Sequence, residues 1–114
     1  MKIKKKSRKF KVGKNNIIIK EVAKILLGNN EQVTFVNKKT EYDVVRKNWG
    51  YYATPSINKR LKSKGLKTAL VINKDKRIYI MLVEKGKVKA FNKYCKVENQ
   101  RRLLWLDDWM RVDD

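Results

Sequence analysis

Thirteen residues, WGYYATPSINKRL at positions 49–61, gather the side chains of this chain best suited to hold a ligand. Thr54 suits a helix N-cap and Pro55 the first helical position, where its missing N–H costs nothing, so the spacing predicts a helix opening at Pro55. The first turn of such a helix presents free N–H groups and a partial positive charge. Helices ordinarily place Asp or Glu there; this one places Ser56, Asn58, Lys59 and Arg60, with no acid before Gly65. A phosphate or carboxylate docked on that end reverses the unfavourable sign and takes hydrogen bonds from backbone amides, the Thr54 and Ser56 hydroxyls, the Asn58 amide and Arg60. Trp49, Tyr51 and Tyr52 just upstream offer a flat wall for a base or a sugar ring, with Arg46 as a further cation. Arg46, Trp49, Tyr51, Tyr52, Thr54, Ser56, Asn58 and Arg60 are therefore the candidate ligand-binding residues. The same residues have a plainer use, since aromatics dominate small cores and Thr54 and Ser56 need do nothing beyond capping.

Other chemistries lack their residues. The chain has no histidine, which removes the commonest general base and the usual zinc ligand. Its one cysteine, Cys95, makes neither an internal disulfide nor a zinc or iron–sulfur site. The five glycines are scattered and form no phosphate loop. Asp107 and Asp108 are adjacent, so on an extended segment they point to opposite sides, and a helix cap or a solvated end explains them better than a metal pair. No catalytic residue, metal or cofactor is expected, and an enzyme is the least favoured reading.

The balance of charge names the partners. Thirty Lys and Arg against eleven acids give a net charge of +19 over 114 residues, which attracts anionic small molecules and polyanions, nucleic acid among them. Twenty-three of the cations are Lys and seven Arg, and Asn and Ile are also abundant, a composition that an AT-rich genome over-supplies. Dedicated nucleic-acid sites favour Arg, so the charge has both a functional and a compositional explanation. Residues 1–14 hold eight cations and no acid, which reads as a basic N-terminal arm over 1–9 and equally as a frayed terminus or a blunted edge strand, and the segment 107–114 reads as an acidic tail. No apolar run approaches the ~18 residues of a membrane span, and no signal-peptide pattern opens the chain, so a cytoplasmic protein is expected.

Periodicity supplies the scaffold. KTALVIN (67–73) and RIYIMLV (77–83) are continuous apolar runs about a polar turn, a β-hairpin covered on both faces. RRLLWL (101–106), EQVTFV (31–36) and EYDVVRK (41–47) read as further strands. Val88, Phe91 and Cys95 mark one apolar stripe of a helix, and Cys95 on it is a buried small hydrophobe. Gly65, with Leu61 and Leu66 on either side, marks the stop of the helix that opens at Pro55. Residues 16–27 suit a helix by their caps and a hairpin by their β-branched run, with 23–27 leaning to strand. The expectation is an α+β fold: a single small domain over 1–114, with a mixed, mainly antiparallel sheet of about five strands and two short helices. Apolar strands with both faces covered further suggest a homodimer.

The run EYDVVRKNWGYYATPSINKRL (41–61), followed by KTALVIN and by YIMLVEKGKVKAF (79–91), resembles a family of small bacterial proteins with no assigned activity. The pattern Y-D-V-x-R-x-x-W-G-[FY]-Y-A-T-P-S-x-N-x-R-L spans Tyr42 to Leu61, and Leu82–Glu84 and Trp105–Asp107 match its later elements. The resemblance covers roughly residues 25–107. It implies no catalytic residues, and it favours a strand at 23–27.

The readings that follow are a non-enzymatic binding or accessory protein with its site at 54–60, a nucleic-acid-binding protein using its lysine-rich surface, and a structural homodimer or assembly subunit.

Overall fold

Four small ladders carry most of the backbone. The computed structural model describes residues 1–5 and 7–109. Its strands are β1 (Lys2–Lys4), β2 (Arg8–Val12), β3 (Ile17–Glu21), β4 (Lys24–Leu26), β5 (Gln32–Asn37), β6 (Thr40–Lys47), β7 (Gly50–Ala53), β8 (Leu66–Asn73), β9 (Ile78–Glu84) and β10 (Gln100–Trp105). Its helices are α1 (Arg60–Ser63), α2 (Val88–Val97) and α3 (Leu106–Trp109). This corrects the expected fold class. The described chain is mostly β, 51 % strand and 19 % helix, with ten strands in four sheets and three helices in place of one five-stranded sheet with two. The sheets are ordered β1–β4, β2–β3, β5–β6–β7 and β10–β8–β9. The cause is local pairing. Ile17–Ile19 are β-branched and stiff, and they pair across the short Gly13–Asn16 turn with Arg8–Val12 without joining a larger sheet.

Contacts divide the chain into two compact units, residues 1–34 with 43–54, and residues 35–42 with the chain from 55 onward.

The second unit is built on β8. Antiparallel pairing places Lys67, Ala69 and Val71 of β8 opposite Val83, Met81 and Tyr79 of β9, and Ala69 opposite Trp105 of β10. That face meets α2: Ala69, Val71 and Val83 are buried, with Met81, Val88, Phe91 and Trp105 packed against them. Phe91 lies 5.7 Å from Trp105, ring to ring. Cys95 is buried on the expected stripe of α2, and desolvation raises its thiol pKa, as befits a packing residue. The β8–β9 turn is closed by Asn73, whose side-chain oxygen accepts the Asp75 amide at 3.0 Å and the Arg77 amide at 2.9 Å, an Asx turn. β9 is an edge strand, and Ile78, Tyr79 and Ile80 are exposed along it.

The helix expected to open at Pro55 opens five residues later. Ser56 intercepts the amides a helix would use: its carbonyl accepts from Leu61 at 2.9 Å and its hydroxyl accepts from Arg60 at 3.0 Å. Ser56 and Asn58 favour turns over helix interiors, β-branched Ile57 is a weak helix former, and together they defer the first helical residue to Arg60. The expected stop is present. Gly65 has φ +84°, a conformation that costs any other L-residue ~1–2 kcal/mol. Its amide reaches the Lys62 carbonyl at 3.1 Å, and Leu61 and Leu66 are buried on either side of it.

Next to α1, Asp107 and Asp108 lie in the first turn of α3. Asp107 is buried, which a solvated tail does not explain. Its carboxylate accepts the Thr68 amide at 3.0 Å and the Lys67 ammonium at 3.2 Å. Asp108 pairs with Lys62 at 2.8 Å and Lys67 at 3.4 Å. Trp105 and Trp109 differ in burial. The first lies in the core with Lys67 and Arg102 each 4.6 Å from its ring centre, and the second is exposed. Residues 110–114 of the expected acidic tail lie outside the described residues.

In the first unit, Lys2–Lys4 and Arg8–Val12 occupy much of the expected basic arm and are both strands. Residues 16–27 hold two strands, β3 and β4, and no helix.

Two exposed carboxylates add a small stabilisation that is lost in acid. The hydrogen bond from Lys62 holds Asp108 below its ordinary value of 3.8, and the Gly28 amide holds Glu31 below 4.5. A pKa lowered by folding contributes stability that is present above the ordinary value and lost as pH falls through the lowered one. Thermal melts should therefore be flat from about pH 7 to 5 and fall below about pH 4. Asp108→Asn should shallow that fall.

Candidate functional site

The aromatic run is a hairpin tip. Lys47 pairs with Gly50, Arg46 with Tyr51, Val45 with Tyr52 and Val44 with Ala53, leaving Asn48 and Trp49 as the two-residue turn between β6 and β7. Two-residue hairpin turns usually need positive φ within the turn. Here the positive φ falls one residue later, at Gly50 (+148°), where an added Cβ would meet nothing within 4 Å. Conformation, and not crowding, therefore requires the glycine after Trp49. Arg46 is fixed on both sides: its carbonyl accepts the Asn30 amide at 2.8 Å, and its amide donates to the Glu31 carbonyl at 3.0 Å.

Directly opposed residues share a face of a ladder and successive residues alternate, so the expected flat wall is divided between two faces. Tyr52 lies on one face, and the Trp49 ring stacks on it, 6.1 Å between centres and 18° from parallel. Tyr51 lies on the other face opposite Arg46, whose guanidinium carbon sits 5.3 Å from its ring centre. The guanidinium also donates to the Lys47 carbonyl and, at 3.4 Å, to the Gly50 carbonyl, which locks it across the turn.

None of the three aromatics is core. Trp49 is 69 % exposed, Tyr51 64 % and Tyr52 45 %. Burying a large aromatic side chain is worth ~1.5–3 kcal/mol, so three left in water on one short hairpin call for a use other than packing. Lys47, which the sequence reading left out, adds a cation at the same tip and donates to Asn30. Its place two residues before Trp49 in the sequence is a usable signal, lost among so many lysines.

The remaining site residues are engaged elsewhere. Thr54 caps no helix; its hydroxyl donates to Asp43 at 3.5 Å. The Ser56 hydroxyl accepts the Arg60 amide, and Asn58 is exposed in the turn before α1. With α1 only four residues long, no sustained helix dipole stands at Thr54–Ser56 to hold an anion. Arg46, Trp49, Tyr51, Tyr52 and Thr54 belong to the first unit, and Ser56, Asn58 and Arg60 to the second.

The second unit also has an apolar groove of about 380 Å³, lined by Leu66, Leu82, Phe91 and Tyr94 among others. Two of its polar groups satisfy each other, Asn37 donating to Glu84 at 3.2 Å. No group of three or more His, Cys, Asp or Glu among the described residues could hold a metal ion. No helix among them is long and apolar enough to cross a membrane.

No protein family, curated protein or solved structure matches the chain.

Proposed function

We propose that this protein is a non-enzymatic nucleic-acid-binding module of the cytoplasm whose contact element is the β6–β7 hairpin. The observation that carries the reading is the exposed Trp49–Tyr52 stack, with Lys47 at the same hairpin tip and Arg46 on the opposite face. Proteins that bind nucleic acid without reading its sequence combine cations that follow the backbone with aromatic faces on which bases stack. The hairpin offers both within a few residues. Its unit supports them, since residues 1–34 and 43–54 hold twelve Lys and Arg against three acids. The anionic ligand first assigned to residues 54–60 becomes, in this reading, the phosphate backbone next to a stacked base.

The divided wall favours single strands. A base must leave its duplex neighbours to lie on Trp49, and that costs least where it is already unpaired. The test is fluorescence anisotropy of a labelled oligonucleotide, single-stranded and duplex, at roughly 50 mM and 200 mM salt. The expected result is tighter binding of the single strand, with affinity falling steeply as salt rises. Equal affinity for both forms would leave only the charge and remove the aromatic role. No binding at the lower salt would end the reading.

A further inference from the structure

The β1–β4 ladder contains an arrangement that folding alone disfavours. Its register sets Lys4 directly opposite Lys24, two like charges on one face. Opposed like charges destabilise a ladder. Lys2, two residues before Lys4, shares that face. Among the described residues neither Lys4 nor Lys24 has a carboxylate partner.

Beside the pair lies a cavity of about 310 Å³ lined by Lys4, Ser7, Arg8, Glu21 and Lys24. A second, of equal size, is lined by Lys2, Lys4, Lys24, Ile25 and Leu26, so Lys4 and Lys24 serve both. Glu21, the one acid among the described lining residues, is already committed: it accepts from Arg8 at 3.2 Å. Arg8 is held a second time by the Phe10 ring, 4.9 Å from its guanidinium carbon. The lining thus keeps an excess of positive charge, two unpaired ammonium groups and a hydroxyl donor around one space.

We propose that Lys4, Ser7 and Lys24, with Arg8 at the rim, form a seat for one phosphate group. A phosphate carries several acceptor oxygens and a charge of about −1 as a diester to −2 as a monoester, enough to turn the Lys4–Lys24 repulsion into a bridged attraction. Lysine ammoniums bind phosphate as point charges and need no planar fork, so the scarcity of Arg here is no obstacle. The seat is separate from the hairpin and does not depend on the nucleic-acid reading. A free phosphorylated molecule and a nucleic-acid backbone present the same group.

Isothermal titration of the full chain with sodium phosphate, ionic strength held constant with chloride, tests it. One phosphate per chain is expected, with binding weakened roughly ten- to hundredfold by Lys4→Gln or Lys24→Gln. Lys9→Gln and Lys20→Gln remove the same charge from the other opposed lysine pair, on β2–β3, and should leave phosphate binding unchanged. All four positions are exposed, so none of the variants should fail to fold. Absence of phosphate binding by the parent chain overturns the seat. So does an equal loss from all four variants, which is the signature of diffuse charge. With the seat established, competition by an unlabelled oligonucleotide assigns its phosphate to a polymer backbone, and persistence of phosphate binding assigns it to a free phosphorylated molecule. Because the probe is inorganic phosphate, this result can fail while the hairpin still binds nucleic acid, and the reverse.

Discussion

Trp49→Ala should weaken binding of a short single-stranded oligonucleotide roughly five- to a hundredfold, the range that one base stacked on an aromatic ring supplies. Thermal stability should barely change, since the side chain is 69 % exposed and the turn owes its shape to Gly50. That combination separates a binding residue from a packing one. Tyr52→Ala should cost less than Trp49→Ala. The double variant should lose less than the two losses combined, because Tyr52 acts partly by holding the Trp49 ring that stacks on it. Tyr51 lies on the opposite face with Arg46, so its loss should be independent of the Trp49 loss. The slope of affinity against salt should stay the same in Trp49→Ala and become shallower in Lys47→Ala, since only the second removes a charge. These outcomes are read from anisotropy titrations at matched salt and from melting curves.

The largest effect on stability should come from Asp107→Ala, about 3–5 kcal/mol in urea denaturation, a large part of the ~5–15 kcal/mol a domain of this kind has. The Asp107 carboxylate is buried and serves two partners, the Thr68 amide at 3.0 Å and the Lys67 ammonium at 3.2 Å. Removing it leaves a buried backbone donor without an acceptor and strips a mostly buried ammonium of its nearest carboxylate. Trp105 then keeps a cation near its ring with less to balance it. Asp107→Asn should cost less than Asp107→Ala, because the amide oxygen can still accept from Thr68. Adding Lys67→Met to Asp107→Ala should recover part of the loss by removing the stranded charge. If Asp107→Ala and Asp107→Asn are equally mild, the pair is not holding α3 to β8.

The second half of the chain was legible because its signals are local and agree with one another. The apolar runs on either side of Asn73–Arg77 paired as a hairpin, and the Val88–Phe91–Cys95 spacing gave α2 with its stripe against β8. Gly65 ended its helix with the left-handed φ its position required. The start of that helix is not legible, because Thr54 and Pro55 are good opening residues in isolation, whereas the outcome turns on Ser56 capturing the Arg60 and Leu61 amides. The number of sheets was not legible. Strand propensity shows that Ile17–Ile19 are extended, but not that their partner is the adjacent Arg8–Val12 ladder. The buried role of Asp107 was hidden for the same reason: its partners, Thr68 and Lys67, lie about forty residues away in sequence. The residues of the candidate site were found by type, but not their division between two faces. Register settles that, and the pairing of Arg46 with Tyr51 is invisible until the turn at Asn48–Trp49 is placed.

In the proposed function, nucleic acid lies on the β6–β7 hairpin. An amide and indole N–H correlation spectrum of the isotope-labelled chain, titrated with a short oligothymidylate, tests it most directly. The largest shifts are expected at the Trp49 indole and at the amides of Arg46, Lys47, Asn48, Gly50, Tyr51 and Tyr52, with the Trp105 indole in the core unmoved. Shifts spread evenly over lysine-rich strands with the Trp49 indole silent would contradict it and leave the +19 charge as the whole of the interaction.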